Sequence, residues 1–324
     1  MATGSDPKTL QQAILFFADY ENCKRAMMAI RWPDGVVRCP TCGADRVTYL
    51  ANARVWKCYE GHPKSKFSLK VGTIFEDSPI ALQKWLPALW LVTNCKNGIS
   101  SYELGRALGV TQKTAWFMLS RLRLALQDNV TGGKLGGEVE ADETYIGGKA
   151  RNMHAGKRKR LNVKRGRSIA GKVAVMGLLQ RHGEGKVSKV KTMVLSGLKR
   201  HTVQGHVREH VVPGTSLYTD AFTSYVGLES DYTHQVIDHA ECYVKGNVHT
   251  NGMENFWSLL KRAIKGTYVS IEPFHLFRYL DEQAFRFNNR DNNDHGRFVL
   301  ALKGILNKRL TYTALTGSEL PQTC

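Results

Sequence analysis

Three acidic residues stand apart in a chain whose charge is otherwise strongly positive. Asp142 closes the alternating run Glu138-Val-Glu140-Ala-Asp142, Asp220 ends the word Tyr218-Thr-Asp220, and Glu254 lies in His249-Thr-Asn-Gly-Met-Glu254. The first two words read as strands and the third as a helix start, so the acids can converge from three elements. Carboxylate oxygens suit a hard cation such as Mg²⁺ (or Mn²⁺), which keeps waters and phosphate oxygens in its shell. Two such ions about 4 Å apart serve phosphodiester chemistry at both the attacking and the leaving oxygen. Acids on separate strands are also common in any α/β fold, and on spacing alone that plain reading comes first. By the two-residue period Glu138, Glu140 and Asp142 share one strand face, with Asp142 expected deepest. Glu143 points to the other face and is read as structural. For His249, a phosphate contact and a capping or packing role both stay open.

A second constellation is sulfur-rich. Cys39-Pro-Thr-Cys42-Gly43 is followed sixteen residues later by Cys58, and His62 completes Cys58-Tyr-Glu-Gly-His62. Two knuckles offering Cys39, Cys42, Cys58 and His62 match a Cys₃His tetrahedron around one structural Zn²⁺. The chain has seven cysteines, an odd number, with no basic-then-apolar leader over residues 1–8. A disulfide framework is therefore not expected, and the expected location is cytoplasmic.

The elements that must carry these groups follow from pattern. Residues 10–30 are apolar and helix-compatible, with a capping signal near Ser5 and Asp6. Residues 31–77, rich in Cys, Gly, Pro and aromatics, read as a small β-rich module. Residues 78–130 read as helical. Ser100 or Ser101 caps a first helix through Leu108, Gly109 turns the chain, and Thr111 caps a second helix over Gln112–Leu126. That is a helix-turn-helix pattern, with Gln112, Lys113, Thr114, Arg121 and Arg123 expected on the exposed face. An ordinary αα-hairpin has the same signature. Residues 134–312 alternate strand and helix signals, as in a mixed α/β domain reached through the glycine-rich linker at 132–137.

The 324 residues carry 46 Lys+Arg against 28 Asp+Glu, a net charge of +18. Such an excess points to a polyanion. Between residues 149 and 172 there are ten Lys or Arg and no acid. The block Lys157, Arg158, Lys159 and Arg160 repels itself, is expected to lack order when free, and is suited to neutralising phosphates. The longest apolar run, residues 85–92, is interrupted by Pro87 and is too short to span a bilayer, so no membrane role is expected.

Taken together, the chain resembles the insertion-sequence DDE transposases that carry an N-terminal zinc ribbon (ISXO-type, Merlin-related). The words that carry the match are Cys39-Pro-Thr-Cys42-Gly43, Phe67-Ser-Leu-Lys-Val-Gly-Thr-Ile-Phe75, Asp142-Glu-Thr-Tyr-Ile-Gly-Gly-Lys149, Tyr218-Thr-Asp220 and His249-Thr-Asn-Gly-Met-Glu254-Asn-Phe-Trp-Ser-Leu-Leu-Lys261. The resemblance spans about residues 15–295. It departs at the second knuckle, where a C-x-x-C pair is usual and this chain has Cys58-x-x-x-His62. It implies a ribonuclease-H-like catalytic domain preceded by the zinc ribbon and the helix-turn-helix module. It also implies double-stranded DNA as partner, an assembly of two or more subunits on paired element ends, and association with the nucleoid. The implied reaction is hydrolysis at the element's end, followed by attack of the freed 3′-hydroxyl on target DNA. Asp142 would bridge two ions, Asp220 and Glu254 would each hold one, and Asn251 is a lesser metal candidate. Lys261, seven residues after Glu254, matches a basic residue of the family and would contact DNA. Two rivals remain at this stage: a DNA-binding regulator without catalysis, and a nuclease of the same fold that cuts but does not join.

Overall fold

The computed structural model of the protein describes residues 6–127, 133–148, 154–160, 171–183, 187–237 and 248–317. The chain divides into two compact units, one of residues 1–127 with 292–324 and one of residues 128–291. Among the described residues no helix is long and apolar enough to cross a membrane.

In the first unit, the apolar stretch near the N-terminus forms two helices, α1 (Leu10–Ala18) and α2 (Tyr20–Arg31), rather than one. Asp19 interrupts it, because its side chain accepts the Glu21 N–H and caps the second helix. Thr9, not Ser5 or Asp6, caps α1, and Ser5 lies outside the described residues. Next comes an antiparallel sheet of β1 (Val47–Leu50), β2 (Val55–Cys58) and β3 (Lys66–Phe67) in that order. So few residues bury little aliphatic surface, and Trp56 supplies the small core. It lies 4.7 Å from Tyr49, 5.9 Å from Trp32 and 6.0 Å from Phe67, ring centre to ring centre.

Helix α3 (Leu82–Asn94) runs straight through Pro87 and is buried over most of its length. Then follow α4 (Ser101–Leu108) and α5 (Gln112–Leu126), with the boundaries the caps predicted. Ser100 and Glu103 form a reciprocal capping box, and Gly109 ends α4 at φ +61°. Gly105 faces the turn so closely that a Cβ would lie 3.0 Å from the Val110 carbonyl oxygen.

Only the first turn of α5 is polar and accessible: Gln112 and Lys113 are exposed, and Thr114 is half-buried with its hydroxyl bonded to that of Thr111. The expected exposure of Arg121 and Arg123 is overturned, since they are 5% and 2% exposed. From Ala115 onward α5 is enclosed by other segments of the unit. The Arg121 guanidinium donates to the carbonyls of Ile74, Glu76 and Leu310 at 3.0, 2.7 and 3.1 Å. It is an interior cross-brace. Helix α10 (Asp294–Lys303) also belongs here, because Phe298 packs 5.3 Å from Phe17 and 5.4 Å from Trp90. The α/β stretch expected over 134–312 therefore gives way to helical packing after residue 291. The short α11 (Tyr312–Thr316) follows.

The second unit is built on a five-stranded sheet of β4 (Glu138–Ile146), β5 (Val173–Gln180), β6 (Lys189–Val194), β7 (Ser216–Asp220) and β8 (Thr233–Ile237). Its order is β6-β5-β4-β7-β8, with β4, β5 and β6 antiparallel and β7 and β8 parallel to β4. The central strand β4 divides its side chains between two cores, as period two requires. Val139 and Ala141 join α7 (Arg200–His210) and Leu217 on one face. Ile146 joins α8 (Asn251–Ala263) and α9 (Leu276–Asn288) on the other. Between β4 and β5 the six-residue α6 (Ala155–Arg160) replaces the disorder expected of the basic block. Lys, Arg and Ala are good helix formers, which offsets part of the repulsion. The rest of the basic run, 149–153 and 161–170, lies outside the described residues.

Arg121→Met should destabilise the first unit by on the order of 3 kcal/mol, since three buried carbonyls lose a charged donor. Urea unfolding would measure the loss. The salt dependence of DNA binding should stay as in the parent protein, whereas a DNA-contacting Arg121 would flatten it.

Candidate active site and metal centres

Asp142 sits in the middle of β4, opposite Gly177 of β5. That glycine is a condition of the site. A Cβ there would lie 2.1 Å from Met253 Cε and 2.7 Å from the Trp257 ring. Without it, α8 settles directly on the sheet, burying Met253, Phe256, Trp257 and Leu260. The Trp257 indole N–H then donates to Asp142 Oδ2 at 3.0 Å. Asp142 Oδ1 accepts the Glu143 N–H at 2.8 Å.

Asp220 is the last residue of β7. Strands β4 and β7 pair in parallel through Glu140↔Tyr218, and two residues further along each strand stand Asp142 and Asp220. Asp220 Oδ1 accepts the Phe222 N–H at 3.1 Å, which fixes its carboxylate at the strand end. Glu254 is exposed in the first turn of α8. Asp220 and Glu254 both act on Asp142 electrostatically. Burial, then the charges of Asp220 and Glu254, push the Asp142 carboxyl up to about 6, against the two donors it accepts. Hard oxygen donors that repel one another when metal-free are the donor set a divalent cation relieves.

Asp142 is not the deepest acid on its strand, as the alternation had suggested. Glu140 is 1% exposed and Asp142 only half-buried. Glu140 accepts from Arg181 Nε at 2.7 Å and from the Met253 N–H at 2.9 Å, partners that pull it inward. Glu143 does point to the opposite face, where Tyr225 donates to it. Burial pushes its carboxyl to about 8 against that hydrogen bond, and Asp220 and Asp142 add to the rise. His249 turns Nδ1 toward Arg181 Nη2 at 2.8 Å, which favours its packing role over a phosphate contact. Asn251 is the exposed first residue of α8. Lys261 is exposed two turns beyond Glu254. Arg158 and Lys159 are exposed on α6, while the side chains of Lys157 and Arg160 lie outside the described residues. Arg181 and Tyr225 escaped sequence reasoning, since nothing in their spacing marks them, while helical spacing with Met253, Phe256 and Leu260 marks Trp257 as buried but not as the partner of Asp142.

In the first unit, Cys39, Cys42, Cys58 and His62 each offer a ligand atom, all within 4.8 Å of one another. Cys42 Sγ and Cys58 Sγ are 3.6 Å apart, and Cys39 Sγ lies 3.3 Å from His62 Nε2. Tetrahedral thiolate sites with zinc–sulfur bonds of about 2.3 Å require sulfur separations of about 3.8 Å, so the set fits. Gly43 (φ +79°) and Gly61 (φ +71°) make the left-handed turns of the two knuckles. Burial raises the Cys39 thiol, but backbone donors at Cys42 and Thr41 and hydrogen bonds from Cys42 and His62 outweigh it and bring it to about 6. A thiolate is the form a metal binds.

The raised carboxyls fix the sign of a pH effect. The folded state holds protons on Asp142 and Glu143 that the unfolded chain has released, so stability falls as pH rises. In Mg²⁺-free buffer the loss should run from about pH 4 through about pH 6 for Asp142, and on through about pH 8 for Glu143. Asp142→Asn should raise the melting temperature by several degrees at pH 7.5, a gain of on the order of 3 kcal/mol at most. The gain should vanish near pH 4. Thermal melts across that range check it, and a variant less stable at pH 7.5 would contradict the assignment.

Comparison with known proteins places the chain in a family. Residues 134–288 match the family model of the ISXO2-like transposase domain, and residues 19–62 match that of the transposase zinc-ribbon domain. The chain is 31% identical over 255 residues to a protein of Halobacterium salinarum described as "Uncharacterized protein in transposable element ISH50", covering 76% of this chain and 83% of the relative. It is 35% identical over 104 residues to an "Uncharacterized transposase-like protein" of Haemophilus influenzae, covering 32% of this chain and 84% of that protein. Matched through both its zinc ribbon and the α/β unit that holds Asp142, Asp220 and Glu254, the chain belongs to the IS1595-type transposases with an N-terminal zinc ribbon.

Proposed function

We propose that the protein binds the ends of its element as double-stranded DNA and performs Mg²⁺-dependent (or Mn²⁺-dependent) strand cleavage and strand transfer at Asp142, Asp220 and Glu254. The observation that carries this reading is that Asp142 on β4 lies close enough to Asp220 on β7 and to Glu254 on α8 for both to raise its carboxyl. Acids held close enough to raise the Asp142 carboxyl are a cost to folding, and a cation-dependent site gives them a use. The sheet order, three antiparallel strands followed by two parallel ones, supports a ribonuclease-H-like catalytic domain.

Each residue has a distinct task. Divalent cations, when bound, would supply the charge that stabilises attacking and leaving oxygens of a phosphodiester. Asp142 is held by the Trp257 indole and the Glu143 amide, which leaves each of its oxygens a further lone pair to offer a cation. Asp220 is fixed by the Phe222 amide, and Glu254 rides on α8. Lys261 and the basic block at Lys157, Arg158, Lys159 and Arg160 would neutralise phosphates without reading sequence. The exposed first turn of α5, with Gln112, Lys113 and the half-buried Thr114, would enter the major groove as the second helix of a helix-turn-helix. Cys39, Cys42, Cys58 and His62 would hold one Zn²⁺ that stabilises the ribbon. Paired ends call for at least two copies of the chain, acting on nucleoid DNA in the cytoplasm.

Asp142→Asn, Asp220→Asn and Glu254→Gln should each lower cleavage of labelled element ends by at least a thousandfold, with end binding held within about twofold. A variant that cuts at the parent rate removes its residue from the triad. Scoring joined as well as nicked products separates a transposase from a nuclease that only cuts.

Elemental analysis should find one zinc per chain in protein purified without chelators. Cys39→Ser should lose that zinc and unfold the ribbon, whose own core is too small to hold it. His62→Ala at full zinc occupancy would reassign the fourth ligand.

A further inference from the structure

Glu140 shares a strand face with Asp142, two residues away, and by residue type it could be a fourth metal ligand. Its bonding says otherwise. Oε1 accepts from Arg181 Nε at 2.7 Å and lies 3.4 Å from His249 Nδ1. Oε2 accepts the Met253 N–H at 2.9 Å. Met253 is the third residue of α8, the position whose amide an N-cap side chain ordinarily takes. The N-cap residue itself, Thr250, makes no side-chain cap. A carboxylate from the sheet thus does the work of a helix cap and faces the positive end of the helix. Gly252 opens the way: a Cβ there would lie 2.8 Å from Oε2.

Arg181 closes the other side. It follows the last residue of β5, and Nη2 donates to the His249 carbonyl at 2.7 Å, just before α8 begins. The guanidinium lies 4.3 Å from the centre of the Tyr218 ring on β7. One side-chain pair therefore joins β4, β5, β7 and the start of α8.

We propose that Glu140, clamped by Arg181, is a positioning residue: it sets the depth and rotation of α8, and thereby where Glu254 and Trp257 stand relative to Asp142. It is not a metal ligand. The metal consequence rests on the function proposed above, while the geometric consequence does not.

The test uses the full-length, zinc-loaded protein. Indole ¹⁵N labelling reports the Trp257 N–H, whose resonance depends on its bond to Asp142. Mn²⁺ affinity is followed by electron paramagnetic resonance. Glu140→Gln and Arg181→Gln should each shift the Trp257 indole resonance and speed hydrogen exchange in the first turn of α8. Both should weaken Mn²⁺ binding about tenfold, with the circular dichroism of the parent. The double variant should be no worse than either single one. The sign of the Arg181 effect decides. If Glu140 were a ligand, Arg181 would compete with the metal, and Arg181→Gln would tighten Mn²⁺ binding; that result overturns the proposal. So does an indole resonance unmoved in both variants. Should Arg181→Gln fail to fold, Arg181→Lys keeps the charge without the fork of donors and should give the same shifts in milder form. Asp142→Asn with undiminished Mn²⁺ affinity would refute the metal reading, and the indole and exchange measurements would still decide the clamp.

Discussion

The approach of α8 to the sheet at Gly177 is the constraint on which the second unit depends. A helix normally stands off a sheet by the length of the side chains between them. Here one strand position carries none, and Met253 and the Trp257 ring occupy the space. Three consequences follow from that one contact. The indole reaches Asp142. The first turn of α8 comes within reach of Glu140. Glu254, one residue beyond the capped amide, is brought into the field of Asp142. Packing, capping and electrostatics of the site are different aspects of one close approach.

That approach holds like charges together. Burial and the charge of neighbouring acids raise the proton affinity of Asp142 and Glu143, and the fold tolerates this because neighbouring bonds over-determine their positions. Each carboxylate accepts at least one fixed donor: an indole and an amide at Asp142, a tyrosine at Glu143, an amide at Asp220. Such donors orient the groups without cancelling their charge. Glu140 is the contrasting case, since a guanidinium does cancel its charge. Two acids two residues apart on one strand face thus take opposite roles, decided by whether the nearest partner is a dipole or a cation.

Much of this was legible in the sequence where local rules apply. Gly109 and Thr111 mark the α4–α5 turn through backbone conformation and capping, both properties of a few neighbouring residues. The Cys and His spacing gave a cluster that the structure closes to within 4.8 Å. What was not legible depends on distant partners. Arg121 looks like a surface cation on a helical pattern, and only the carbonyls of Ile74, Glu76 and Leu310 explain its burial. Phe298 draws α10 away from the α/β unit through contacts with Phe17 and Trp90, more than 200 positions away in the chain. The depth of Glu140 and the role of Gly177 likewise arise from elements far apart in sequence. Strand alternation shows which side a residue faces, but not what comes to meet it there.

The zinc-ribbon ligand set and the proposed acid triad differ in the same way. In the ribbon, ligands come from two tight knuckles, each shaped by a glycine with positive φ. Their geometry is set within a few residues, and the soft thiolates suit a borderline-soft ion such as zinc. In the proposed acid triad, each carboxylate comes from a different element, and the separations depend on a whole sheet and the helix laid upon it. Hard oxygen donors exert weaker directional demands on a cation than thiolates do on zinc. The protein must therefore supply the direction itself, through the Trp257 bond, the strand register and the cap on α8. A local site tolerates change elsewhere in the chain. A distributed one would make the packing of Gly177 and the proposed clamp at Arg181 part of the chemistry, although neither is one of its acids.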